Sequence, residues 1–113
     1  MKFKNVVIVV NDMDKAVSFY GELFGLMPLL YQEGNVILSE GLVLQERGIW
    51  EECIQKEVHE KHNACELYFE ERELDIFIRK VEESQWKVEF LTKEEKLVRL
   101  YDLDGNLIEV REC

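Results

Sequence analysis

The sequence predicts an α+β fold made of two βαβββ modules, with curled mixed sheets and the helices on the outside. Three observations carry this expectation. The hydrophobic pattern reads strand, helix, three strands, and then does so again. The two halves match residue by residue. The 113 residues, 47% of them hydrophobic, suffice for one domain of ordinary size. We therefore expect a single domain over 1–113, with a first module at 1–47, a connector at 48–63 and a second module at 64–113.

The opening run FKNVVIVV (3–10) is rich in β-branched residues and stops at Asn11 and Asp12, which marks a strand feeding a helix cap. From Asp12 the period changes: Met13, Val17, Tyr20 and Phe24 recur at helical spacing, with Ala16, Phe19 and Leu23 beside them, until Gly25 supplies a stop. Asp12 and Asp14 suit a cap and a first turn, where carboxylates accept backbone amide protons. Three short strands follow at 27–32, 35–40 and 42–47, punctuated by Gly34 and Gly41. After the polar connector, CELYFEE (65–71) reads as a strand and ELDIFIRKVEESQW (73–86) as a helix with Leu74, Ile78, Val81 and Gln85 on one stripe. The last strands fall at 87–92, 97–102 and 106–112, the final two joined across Asp104-Gly105, a hairpin-turn signal.

Laid on each other at an offset of 61, the halves place Val6 on Leu67, Ile8 on Phe69, Val17 on Ile78, Tyr20 on Val81 and Leu29 on Phe90. A three-residue insertion in the second half then brings Gln45 onto Glu109. Alternation along the strands puts Val6, Ile8, Val10, Leu67, Phe69, Ile108 and Val110 under the helices. Asn5, Val7, Val9, Gln45, Glu66, Tyr68 and Glu109 share the opposite face.

Composition excludes several functions. Fourteen basic against twenty-four acidic side chains give a net charge of −10, which repels nucleic acid and anionic membranes. No run approaches the roughly 18 apolar residues of a membrane span, and the first residues lack the pattern of a secretory signal. A cytoplasmic protein is expected. Cys53, Cys65 and Cys113 are odd in number and form no CxxC pair, so free thiols are expected, with Cys65 buried and Cys113 at a frayed end. His59 and His62 sit among charged residues of the connector, where a solvated loop is the reading. The paired glutamates at 51–52, 70–71, 82–83 and 94–95 read as solvated faces.

The stretches VVIVVNDMDKAVSFYGELFGL (6–26) and YDLDGNLIEV (101–110), within paired βαβββ units spanning nearly the whole chain, resemble the vicinal oxygen chelate superfamily. That superfamily includes glyoxalase I, extradiol dioxygenases, fosfomycin-resistance enzymes and bleomycin-resistance proteins. Leu103 stands where the second motif usually has Pro. The resemblance implies half-barrel sheets, a homodimer with sites near the subunit interface, and four metal-facing positions that fall on Asn5, Gln45, Glu66 and Glu109. Metal-dependent members fill these mostly with His and Glu; here both imidazoles are missing and amides are poor donors to transition metals.

The expected function is therefore small-molecule binding in an acidic cleft lined by Asn5, Gln45, Glu66, Tyr68, Tyr101, Glu109 and Trp50, with no conventional metal centre and no cofactor. A cationic aromatic ligand suits such a cleft, through the carboxylates and through cation–π contact. The alternative is a glyoxalase I-like lyase or related metal-dependent enzyme, with Glu66 and Glu109 as catalytic base and acid or as ligands of a weakly bound divalent ion. A scaffold with a vestigial cleft is the third reading.

Overall fold

The computed structural model describes residues 1–113, which form two compact units, 1–58 and 59–113. In the first, strand β1 (Val6–Val10) leads into helix α1 (Met13–Phe24), and strands β2 (Pro28–Gln32), β3 (Asn35–Leu38) and β4 (Leu42–Glu46) follow. A second helix, α2 (Arg47–Ile54), closes the unit. The second unit holds β5 (Leu67–Glu71), α3 (Leu74–Glu83), β6 (Phe90–Glu94), β7 (Leu97–Tyr101) and β8 (Leu107–Glu112). The sheets have matching orders, β1-β4-β3-β2 and β5-β8-β7-β6, each with one parallel and two antiparallel pairings. The two βαβββ modules are thus observed.

Local chemistry explains the helix ends. Asp12 is extended and its carboxylate accepts the Lys15 amide at 3.1 Å, satisfying one of the free amides at the start of α1. Gly25 ends the helix in the left-handed region (φ 69°) and donates its N–H to Gly21. Between these ends Ala16, Phe19, Tyr20 and Leu23 are buried, and α1 packs on β3 and β4. Beneath it lie Ile8, Val10, Val36, Leu38, Leu42 and Leu44, all buried. Each large side chain so buried stabilises by roughly 1.5–3 kcal/mol, enough to override the helix-weakening Gly21. In the second unit Leu74, Phe77 and Val81 of α3 are buried, as are Val98, Leu100, Ile108 and Val110 of the sheet.

Several sequence expectations need correction. The helical stripe of α3 runs through Phe77 rather than Gln85, which is exposed beyond the helix end; Ser84 Oγ donates to the Val81 carbonyl at 2.8 Å, and the helix stops at Glu83. The first strand of the second unit begins at Leu67, so Cys65 precedes it and is exposed rather than buried. The chain end is tied down, since the Cys113 N–H donates to the Glu71 carbonyl. Arg47 opens a helix instead of ending a strand. Glu46 acts as its cap, accepting the Gly48 and Ile49 amides at 2.9 and 2.8 Å.

The connector consequently has structure. Glu51, read as part of a solvated face, instead accepts the Val58 amide at 2.8 Å and pairs with Arg47, whose guanidinium also reaches Asn11 and the Val58 carbonyl. This clasp holds 55–58 to the first unit. His59 and His62 belong to the second unit as loop residues, His62 Nδ1 accepting the Ala64 amide at 3.0 Å.

The ladders also revise the repeat. Val6 pairs with Leu42, and its counterpart Leu67 pairs with Ile108; Val7 pairs with Val43, and Tyr68 with Glu109. The residue matching Glu109 is therefore Val43, and Gln45 matches Arg111. The loop from β7 to β8 is longer than its counterpart by more than the sequence comparison allowed. Likewise Phe90 matches Pro28, and both units shift register there in the same way.

Candidate ligand-binding face

The second sheet presents one face away from α3. Cross-strand pairing aligns Tyr68, Glu109, Arg99 and Thr92 in one row over its four strands. In the next row Glu70 lies beside Arg111 and Arg111 beside Leu97. This face carries the Glu that the C-terminal motif placed between two buried apolar residues, Ile108 and Val110.

Glu109 is not open to a ligand from all sides. Its side chain is only 8% exposed; Oε1 accepts Arg99 Nε at 2.9 Å, and Oε2 accepts a terminal nitrogen of Arg111 at 3.4 Å. Burial of a carboxylate is tolerable because it is paired on both oxygens. Arg99 and Arg111 were missed in the sequence reading. The signal was there: arginines at opposite-parity positions on a strand whose other face is apolar must share a side with Glu109.

Tyr68 is half-exposed, and its hydroxyl donates to Glu70 Oε2 at 3.3 Å. Desolvation pushes the Tyr68 phenol up from its ordinary value, and the Glu70 charge and hydrogen bond push the same way. Tyr101 donates its hydroxyl to Asn63 Oδ1 at 2.7 Å, while Lys61 Nζ sits 5.4 Å from the centre of its ring. Glu66 is exposed, just before β5 and two positions from Tyr68. Tyr68 is in turn the ladder partner of Glu109.

The turn below this face is built by Asp102, which is buried. It accepts the amides of Asp104 and Asn106 at 2.8 and 2.9 Å on Oδ1, and the Asn106 side chain at 2.9 Å on Oδ2. Gly105 takes φ 83°, and an added Cβ would lie 3.0 Å from Lys61 Cγ. The DLDGN loop thereby seats the Lys61–Asn63 segment near Tyr101.

The other expected residues belong to the first unit. Asn5 precedes β1, and its amide donates to the Gly41 carbonyl at 3.3 Å. Gln45 pairs with Val9, four positions further along the strand, roughly 13 Å away. Its amide donates to Glu46 O at 3.4 Å. Trp50 lies half-buried on α2, which packs on β4 and β1.

The residues present do not fit the transition-metal centre that the superfamily implies. No group of three or more His, Cys, Asp or Glu side chains gathers in a metal-holding cluster. The one buried carboxylate among the expected ligands has both oxygens on guanidinium groups, whose charges oppose a divalent ion.

A family model described as a glyoxalase-like domain matches residues 3–113. The metallothiol transferase FosB of Shouchella clausii (strain KSM-K16) is 28% identical over 106 residues, covering 89% of this chain and 73% of FosB. A solved structure of a protein of unknown function from Agrobacterium tumefaciens str. C58 superposes with a TM-score of 0.83 at 28% identity, over 100% of this chain and 94% of that one. The fosfomycin resistance protein FosX from Listeria monocytogenes, complexed with Mn(II) and a sulfate ion, gives a TM-score of 0.72 at 15% identity, over 98% and 89% of the two chains. That last likeness speaks to fold alone. The matched model covers nearly the whole chain, and the paired modules and C-terminal motif agree with it: the chain belongs to the glyoxalase-like domain family of the vicinal oxygen chelate superfamily.

Proposed function

We propose that this chain binds a small molecule on the open face of the β5–β8 sheet, beside Glu66, Tyr68, Tyr101 and Glu109, without a resident transition metal. The observation that carries this reading is the double pairing of Glu109: its two oxygens are held by Arg99 and Arg111, so the motif carboxylate organises a polar face instead of coordinating an ion. Asn5, Gln45 and Trp50 belong to the first unit. Binding raises apparent stability by mass action, so thermal-shift screening with a library of charged and neutral aromatics tests the reading. Ligands that shift the melting point and perturb residues 66, 68, 101 and 109 support it. A library without such a member sinks it.

The similarity to FosB, a metallothiol transferase by name, favours a second reading: a metal-dependent transferase or glyoxalase I-like lyase using Glu66 and Glu109. Elemental analysis after purification, followed by Mn(II) and Ni(II) titration, separates the two. Stoichiometric metal lost in Glu109→Gln supports the enzyme. We also propose a homodimer working in the cytoplasm; the exposed Val7 and Leu30 on the first sheet favour association, and sedimentation tests it.

A further inference from the structure

We infer that the ligand carries a single carboxylate, held by Arg99 and Arg111; this rests on the small-molecule reading above and gives its site a charge. Two devices by which this face could hold a cation, the Glu109 carboxylate and the Tyr101 ring, are already used by the protein itself. Arg99 and Arg111 fill both oxygens of Glu109, and Lys61 lies over the ring of Tyr101. Around Glu109, what the face has to spare is donors. Arg99 contributes only Nε to Glu109 and Arg111 one terminal nitrogen, so the remaining N–H groups of both point to no protein acceptor. Both guanidinium groups reach water, at 36% and 49% side-chain exposure, while the carboxylate that fixes them does not, at 8%. Glu109 therefore acts as a positioning residue that holds the forks in place before a ligand arrives.

Charge sets the valence of the ligand. Arg99 and Arg111 together carry one charge more than the Glu109 they hold, while Glu66, Glu70 and Glu94 line the rest of the face. That triad, with one positive charge in excess and unmatched donors, accepts one negative charge; a second would meet Glu70, which lies beside Arg111 in the ladder, and Glu94 in the same row. Tyr68, half-exposed in the same row as Glu109 and Arg99, offers a ring edge and face for the body of the molecule.

The test uses the full chain, labelled for NMR, and four probes: benzoate, benzylammonium, benzyl alcohol and methylphosphonate. Benzoate is expected to shift the Arg99 and Arg111 side-chain N–H resonances and the Tyr68 and Glu109 amides. It should bind about tenfold or more weakly to Arg99→Gln, with Arg99→Lys recovering part of the loss. Arg111→Gln, whose contact is longer and more exposed, repeats the test should the first variant fold poorly. Benzoate binding that ignores both arginines, or preference for methylphosphonate, overturns the inference. Benzylammonium or benzyl alcohol perturbing the same face, with benzoate inert, overturns it while leaving the small-molecule reading standing. If none of the probes perturbs the face, both fall.

Discussion

Arg99 Nε lies 2.9 Å from Glu109 Oε1, directly across the β7–β8 ladder, one partner partly exposed and the other buried. Breaking a fully buried ion pair costs about 3–5 kcal/mol, and an exposed one about 0–1. With Arg111 still present, Arg99→Met should destabilise by about 1–3 kcal/mol in urea unfolding. Combining it with Glu109→Gln should recover part of that loss, a coupling of ~1 kcal/mol or more in a double-mutant cycle. Additive losses would mean that the two side chains are not energetically linked.

Asp102 accepts three hydrogen bonds inside the β7–β8 turn while buried. Asp102→Ala leaves two backbone amides and one side-chain amide to find other acceptors, for a loss of about 2–4 kcal/mol, taking about 1–3 for each buried group left unpaired and allowing for water. Asp102→Asn retains one acceptor and should lose less. Equal stability of the Ala variant and the parent would remove the turn's role in seating Lys61–Asn63.

The Glu51 carboxyl is held below its ordinary value, first by the Val58 amide bond, which outweighs the opposing desolvation, and further by the hydrogen bond and charge of Arg47. A depressed folded-state value means that the clasp contributes fully above the unfolded-state pKa and is lost as pH falls through the folded one. NMR titration should show the Val58 amide shift following the Glu51 carboxyl, with a midpoint more acidic than that of a free glutamate. Glu51→Gln should abolish that dependence. A Val58 shift indifferent to pH would show the connector is held by something else.

Gly25 and Gly34 both have positive φ, 69° and 82°, yet differ in surroundings. An added Cβ at Gly25 meets nothing within 4 Å, whereas at Gly34 it would lie 2.6 Å from Ile49 Cδ1. Gly25→Ala should therefore cost only the backbone term, about 1–2 kcal/mol. Gly34→Ala should cost that and the displacement of Ile49, and Ile49→Val in the same chain should return the second part alone. Identical losses with and without the Ile49 change would refute the contact.

What could be read from the sequence was whatever period and parity determine. The strand and helix order, the Asp12 and Gly25 ends of α1, and the face shared by Tyr68 and Glu109 all follow from side-chain alternation and cap chemistry. Register along a strand does not. Placing Gln45 opposite Glu109 kept the correct face but missed the position by two residues, because a turn's length is invisible until its hydrogen bonds are known. Helix α2 escaped notice because its cap is Glu46, outside the usual set of cap residues, and because it is only eight residues long with Gly48 in its first turn. The pairing of Glu109 with arginines required seeing the β7–β8 ladder, since Arg99 is ten residues distant in the chain.

The same pairing makes a prediction about metal. Two unit charges roughly 5 Å apart at an effective dielectric of about 20 interact by about 3 kcal/mol, and a divalent ion beside a guanidinium by about twice that. Mn(II) near Glu109 would meet that opposition from Arg99 and Arg111 before gaining Glu109 and the flanking carboxylates Glu66 and Glu70. Mn(II) titrated into the parent chain and followed by electron paramagnetic resonance should bind weakly. Replacing both arginines with Ala frees Glu109 and should tighten binding by about tenfold or more, provided the variant keeps its fold by NMR. Further replacement of Glu66 by Gln should reverse the gain. If the parent instead takes up one tightly held ion per chain, and the arginine changes leave that affinity where it was, Glu109 is a metal ligand after all and the guanidinium groups are bystanders.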